Sequence, residues 1–240
     1  APIIISVTPA RVDENIVPGQ KVYTVIADDS FDTSDGVFFS LSPDSDPALM
    51  IDSVTGEVTL DTETDFETQS QYSFTVTAVD AAENVSTAQL VMLIVNDLDE
   101  VAPTINSGKT ASVNENIGKN QIVYTATADD YADISAGVTF SLANGSDAAL
   151  SINPKTGAVT LTTDPDHETQ AQYSFAVIAT DAAGNESSVY PVTLDINNLD
   201  EVAPTINSGK TALINENIGE NQIVYTATAD DSADISVGVT

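Results

Sequence analysis

The chain has 240 residues, with 37 Asp+Glu against 6 Lys+Arg and a formal net charge of −31. So few cations cannot form a nucleic-acid surface, and an anionic membrane repels such a chain. Hydrophobic residues at 42% exceed what a disordered acidic chain carries, so this is folded protein whose carboxylates need neutralising, with divalent cations the expected agent.

With no cysteine, the fold needs a staple other than disulfides, and metal is one. No apolar run approaches the 18 residues of a membrane span. The start, Ala1-Pro2-Ile3, resembles the internal Ala102-Pro103-Thr104 and lacks a signal-peptide pattern. The sequence is therefore expected to be excised from a longer protein.

Repetition is the strongest signal. Glu14, Glu115 and Glu216 each lie in an Asp/Asn-Glu-Asn-Ile stretch, 101 residues apart. The same interval links Asp65-Phe66-Glu67 to Asp166-His167-Glu168, and Asp80-Ala81-Ala82 to Asp181-Ala182-Ala183. Repeats are assigned to 1–101 and 102–202, with 203–240 the opening part of a third. Between 102–139 and 203–240 only five pairs differ: Ser112/Leu213, Val113/Ile214, Lys119/Glu220, Tyr131/Ser232 and Ala136/Val237. A unit near 100 residues can hold its own core, so these are tandem domains.

Along repeat two, Val113 opens a strand region and 114–118 is turn chemistry. Ile122–Thr127, rich in β-branched and aromatic residues, is the second strand, B. Asp129-Asp130 begins a polar loop. Val138–Leu142 alternates as strand C, Ala149–Ile152 is D, Asn153–Gly157 a tight turn, and Val159–Leu161 strand E. Tyr173, Phe175, Val177 and Ala179 form one face of F, and Val192, Leu194 and Ile196 one face of G. Seven short strands predict an all-β Greek-key sandwich in each repeat, immunoglobulin-like in its strand count. The isolated A and B strands of 203–240 are expected to be marginal.

Strand parity places the loops. The A–B loop with Glu14 or Glu115, the E–F loop with Asp65/Glu67 or Asp166/Glu168, and the exit of G share one end. The B–C loop with Asp129 and Asp130 and the F–G loop with Asp181 share the other. The link between repeats, Asn96-Asp97-Leu98-Asp99-Glu100-Val101-Ala102-Pro103, recurs as Asn197-Asn198-Leu199-Asp200-Glu201-Val202-Ala203-Pro204. Two readings of it compete: a solvated acidic linker, or a point where oxygens converge on hard cations, since Ca²⁺ takes six to eight oxygen ligands. On the second reading Glu14, Asp65, Glu67, Asp97, Asp99, Glu100, Asp129, Asp130 and Asp181 meet at the first junction.

These residues resemble the cadherin repeat. The family's A–B Glu matches Glu14 and Glu115, its Asp-x-Glu matches Asp65/Glu67 and Asp166/Glu168, and its F–G Asp matches Asp80 and Asp181. Its linker aligns Asp97, Asp99 and Glu100 before Pro103. The resemblance implies about three Ca²⁺ per junction, with Leu98 and Val101 carbonyls as added ligands. It implies a second set at Glu115, Asp166, Glu168, Asn198, Asp200, Glu201, Asp230 and Asp231. Departures are the adjacent pairs Asp28-Asp29 and Asp129-Asp130 in place of Asp-x-Asp, Asp and Glu where the linker usually has Asn and Asp, and Asn198 in place of an Asp. With the near-identical copies and absent cysteines, the chain looks similar to cadherin-like repeats of bacterial surface adhesins.

No catalytic constellation emerges. His167 is the sole histidine and stands where repeat one has Phe66, so no Ser-His-Asp set can recur with the repeat. Asp65/Glu67 lack a sugar cleft in a chain without Trp. Asn84-Val85-Ser86 and Asn144-Gly145-Ser146 fit a glycosylation pattern that is common by chance. The expected function is a Ca²⁺-rigidified extracellular extension and adhesion segment, homophilic adhesion included. The alternative is a carbohydrate- or protein-binding module. Expected partners are calcium ions, other cadherin-like repeats or cell-surface glycans, with no nucleic acid and no membrane insertion.

Overall fold

The computed structural model describes residues 1–30, 36–131, 134 and 137–232. These fall into two compact units, Ala1–Asp99 and Glu100–Thr240. The former Ala136/Val237 comparison and the end of the third copy lie outside the described residues.

Unit 1 contains β1 (Ile3–Ile4), β2 (Ala10–Asp13), β3 (Gln20–Thr24), β4 (Ala27–Asp28), β5 (Val37–Leu41), β6 (Leu49–Ile51), β7 (Glu57–Leu60), β8 (Gln71–Asp80) and β9 (Gln89–Asn96). One sheet has the order β2-β9-β8-β5 and the other β3-β7-β6, while β1 pairs with β4. All pairings are antiparallel except β2 with β9. The chain crosses between sheets from β2 to β3, from β3 to β5, from β5 to β6 and from β7 to β8, a Greek-key sandwich. Unit 2 repeats this plan with β10 (Thr104–Ile105), β11 (Thr110–Asn114), β12 (Ile122–Thr125), β13 (Ala128–Asp129), β14 (Thr139–Leu142), β15 (Leu150–Ile152), β16 (Ala158–Leu161), β17 (Gln172–Thr180) and β18 (Tyr190–Asn197). It ends with β19 (Thr205–Ile206) and β20 (Ala229–Asp230).

Period-two alternation builds both cores. On β8, Tyr72, Phe74, Val76 and Ala78 are buried, and on β17 Tyr173, Phe175, Val177 and Ala179. They meet Val58 and Leu60, or Val159 and Leu161, from the opposing sheet. Phe74 packs edge-on against Tyr23, and Phe175 against Tyr124. The Tyr124 hydroxyl donates to the Gly108 carbonyl at 2.6 Å, tying strand B to the segment between β10 and β11.

Two details differ from the seven-strand expectation. Strand B is not continuous to Thr127: it ends at Thr125 and resumes as β13. Between them the Ala126 N–H donates to the Gly157 carbonyl at 2.9 Å, and Thr127 accepts from the Asn106 N–H at 3.0 Å. The strand thus changes partner from β16 to β10, and the first strand is likewise split. A register shift between Ile122 and Tyr124 also lets consecutive Val123 and Tyr124 both face inward, which strict alternation forbids.

Candidate metal centre

At one end of unit 1, β2 and β9 run parallel, so the residue after β2 meets the chain leaving β9. That residue is Glu14, only 3% exposed. Its carboxylate accepts the Phe66 N–H at 2.8 Å and the Leu98 N–H. Asn15 follows in left-handed backbone (φ 62°), a conformation Asn tolerates better than most residues. Its N–H reaches the Thr64 carbonyl at 2.8 Å. Thr64, fully buried, donates its hydroxyl to the Asp13 carbonyl at 3.1 Å. The A–B loop, E–F loop and exit of β9 are therefore fastened together, as parity predicts. Oxygens of Glu14, Glu67 and Asp97 lie within 4.8 Å of one another.

Asp65 stands outside that trio. Its two oxygens accept the N–H and hydroxyl of Thr68 at 2.9 and 2.6 Å. The Thr68 hydroxyl and N–H hold its carboxyl below the usual carboxylate range.

Unit 2 repeats the cradle. Glu115, 2% exposed, accepts the His167 N–H at 2.8 Å and the Leu199 N–H. Those two N–H groups, Leu199 first, hold its carboxyl below the ordinary range. Here the trio is Glu115, Asp166 and Glu168. Asp166 is held low chiefly by the Thr169 hydroxyl and N–H. Asn116 (φ 60°) donates its side-chain amide to Glu201. Asp200 accepts the Val202 N–H at 3.3 Å. Asn198 Oδ1 is buried and has no hydrogen-bond partner among the described residues. Such an atom costs free energy unless another group supplies positive charge. His167 is half-buried, its Nδ1 3.6 Å from Glu168 Oε1.

At the other end of unit 2, Asp130 and Asp181 are both buried, 9% and 6% exposed, with oxygens within 4.8 Å of each other. The adjacent Asp129 points outward, where it accepts from Asn106 Nδ2 at 2.8 Å. Burial raises the Asp181 carboxyl, but bonds from the Asn185 side chain and from the Asn185, Gly184 and Ala183 N–H groups outweigh it and leave it low. Asp80 matches it in unit 1: it is 3% exposed and accepts the Ala82 and Asn84 N–H groups at 2.9 and 2.8 Å. Asp80 is absent from the junction set drawn from the sequence. The sequence does match it to Asp181 as the F–G Asp, and it falls outside that set because β8 carries it to the end of unit 1 away from Glu14. Asp230 lies on β20 beside Asp231, and the Ser232 N–H bonds Asp230 at 3.2 Å.

The donors at these ends are oxygen throughout, the set a hard divalent cation takes. The Leu199 and His167 N–H groups that hold the Glu115 carboxyl below its ordinary range favour its charged form. The Asn198 oxygen is an acceptor still lacking a donor. The residues present fit calcium.

The sequence profile of the family described as "Cadherin domain" matches residues 8–96 and 109–197. The chain belongs to the cadherin domain family. Human Protocadherin Fat 1 is 28% identical over 229 residues, covering 91% of this chain and 5% of its own length. Mouse Protocadherin Fat 4 is 30% identical over 240 residues, covering 95% and 5%. Rat Cadherin-8 is 27% identical, covering 93% and 30%. This chain therefore spans a small part of the relatives it matches. Mouse Cadherin-23 EC22-24 superposes with a TM-score of 0.60 at 24% identity, covering 96% of this chain and 77% of that structure. Human Protocadherin-24 EC1-2 gives 0.61 at 20% identity, covering 82% and 97%. These cadherin repeats are extracellular adhesion modules, generally calcium-binding, and not enzymes. No helix among the described residues is long and apolar enough to cross a membrane.

Proposed function

We propose that this chain is a Ca²⁺-stiffened extension and adhesion segment, with ions held at the ends of its repeats. The observation that carries this is the buried glutamate of each repeat. Glu14 and Glu115 are held by N–H groups from the E–F loop and the linker, each in a trio of close carboxylates. An ion there would fasten the linker to the repeat it leaves. The proposed first ligand set is Glu14, Asp65, Glu67, Asp97, Asp99 and Glu100 with Asp130, Asp181 and the Leu98 and Val101 carbonyls; Asp65, now bonded to Thr68, and Asp129, now turned to Asn106, would have to reorient to join it. The second is Glu115, Asp166, Glu168, Asn198, Asp200 and Glu201 with Asp230 and Asp231. Repeat limits of 1–101, 102–202 and 203–240 follow from the linker positions.

The near-identity of 102–139 and 203–240 and the lack of cysteine support a long repetitive bacterial surface adhesin as the parent. Avidity from many weak contacts suits such an array.

Small-angle scattering tests the reading. The maximum dimension should increase and become better defined as Ca²⁺ passes through about 10⁻⁴–10⁻³ M, the range of extracellular calcium modules. Glu67→Ala should weaken Ca²⁺ binding in calorimetry while leaving the β-sheet circular dichroism intact. A scattering profile identical in chelator and millimolar Ca²⁺ would rule stiffening out. An unchanged titration of Glu67→Ala would rule out this ligand set.

A further inference from the structure

The two repeats share a core but not an outer surface. On the β2-β9-β8-β5 sheet, Phe39, Val76, Ala78, Val91 and Leu93 face the core, so the alternate positions face out. Phe38, Val85 and Leu90 are 50%, 56% and 61% exposed. Val79, Met92 and Ile94 stand on the same face, half-buried. Val79 lies opposite Phe38 and bridges to Val85. Between the apolar groups runs an uncharged band, where Leu90 pairs with Thr75 and Met92 with Ser73, and Ser40 bonds Thr77 at 3.0 Å.

The equivalent positions of repeat two are Thr139, Thr180, Glu186, Pro191, Thr193 and Asp195. Both scaffolds fold with the same register. The apolar set of repeat one is therefore not required by the sandwich. An exposed apolar face of this kind marks an interaction surface.

We propose that this outer face of repeat one is a self-association surface whose partner is the same face on a second copy of the chain. Charge selects that partner. In a chain of net charge −31, most surfaces repel their own copy. Phe38, Val79, Val85, Leu90, Met92 and Ile94 and the Ser/Thr band between them contribute no carboxylate. The edge strand β2 adds Arg11 and Asp13 at the rim of this face, so the acid-free part is β5, β8 and β9. Two copies can bring those three strands together about a two-fold axis without opposing acids, each side self-complementary. The three strands β5, β8 and β9, spaced ~4.8 Å and averaging about eight residues at ~3.3 Å each, give a face on the order of 400 Å². That is below the ~800 Å² per partner of a standard stable interface, so the contact is a weak dimer that many chains side by side would reinforce. The inference does not depend on calcium binding.

The test is sedimentation equilibrium on the 240-residue chain at physiological salt, in chelator and separately in millimolar Ca²⁺. A reversible monomer–dimer equilibrium is expected, tightening as salt screens the remaining acids. Replacing Phe38, Val85, Met92 and Ile94 by their repeat-two counterparts (F38T, V85E, M92T, I94D) should weaken it at least tenfold. Those residues occupy the same fold in repeat two, and unchanged circular dichroism and thermal melting check that the variant is folded. Thr193→Glu, at the matching face of repeat two, should change nothing. A chain that stays monomeric at every attainable concentration, or captures only an unrelated protein through this face, overturns the proposal. So does a dimer that survives the four replacements.

Discussion

Gly56 and Gly157 show how one residue can hold a corner of the sandwich. Gly56 closes the turn between β6 and β7 and Gly157 that between β15 and β16, with φ of 70° and 68°. Each passes close under strand B, so that an added Cβ would lie 2.4 Å from the Val25 carbonyl oxygen or 2.2 Å from that of Ala126. The backbone conformation alone costs a side chain ~1–2 kcal/mol. The clash is with backbone that already accepts no freedom, because Ala126 N–H is bonded to Gly157 O. Gly145 also has positive φ (90°), but nothing lies within 4 Å of an added Cβ. Urea denaturation should therefore show Gly157→Ala costing more than ~2 kcal/mol, against about 1 kcal/mol for Gly145→Ala. Equal losses would mean the close approach carries no energy.

At the scale of elements, the third copy is an internal control. Its sequence nearly duplicates 102–139, yet among its described residues only Thr205–Ile206 and Ala229–Asp230 pair as strands. The counterparts of β11 and β12, at 211–215 and 223–226, are not strands. β11 owes its state to parallel pairing with β18, and β12 to β16. Neither partner has an equivalent after 203 in this chain. Ile223, Val224 and Tyr225 are 86%, 53% and 44% exposed, so the hydrophobic gain that fixes Val123 and Tyr124 is missing. Local bonds survive: the Tyr225 hydroxyl meets Ser208 Oγ at 2.7 Å, as Tyr124 meets Ser107. Hydrogen exchange should be slow at 122–125 and fast at 223–226, despite identical residues at those positions. Equal protection would show that local sequence alone makes these strands. The same contrast explains what the sequence revealed. Alternation over Tyr173–Ala179 was legible because burial on one face is periodic, and the 101-residue interval placed every loop. The break at Ala126-Thr127 was not legible, since the distant Gly157 and Asn106 decide it. Nor could Asp129 and Asp130 be told apart: neighbouring identical residues face opposite ways, and only the β10 pairing says which turns in.

For the whole molecule, acidity and stability are coupled through the same carboxylates. Thr55 and Val54 N–H groups hold Asp52 below the ordinary range, Thr68 does so for Asp65, and backbone N–H groups for Glu115. Each has a lower pKa folded than unfolded. The stability each contributes is thus fully present above the unfolded value, about 4, and is lost as pH falls through the folded value. Relief of self-repulsion acts in the opposite sense, because protonating a chain of charge −31 favours the compact state. At ~0.15 M salt the Debye length is about 8 Å, so long-range repulsion is damped while the hydrogen bonds are not. In chelator the melting temperature should therefore be nearly level from pH 7 to 5 and drop below about pH 4. On the proposed calcium reading, millimolar Ca²⁺ should raise the whole plateau, because an ion held only by the ionised, folded ends would stabilise the folded state. Its increment should shrink as those carboxylates protonate, and the two curves should meet near pH 3. Curves that stay apart at pH 3 would mean that Ca²⁺ is held by groups other than these acids. A fall beginning above pH 6 would mean that a group with a raised pKa, not the depressed carboxylates, governs acid stability.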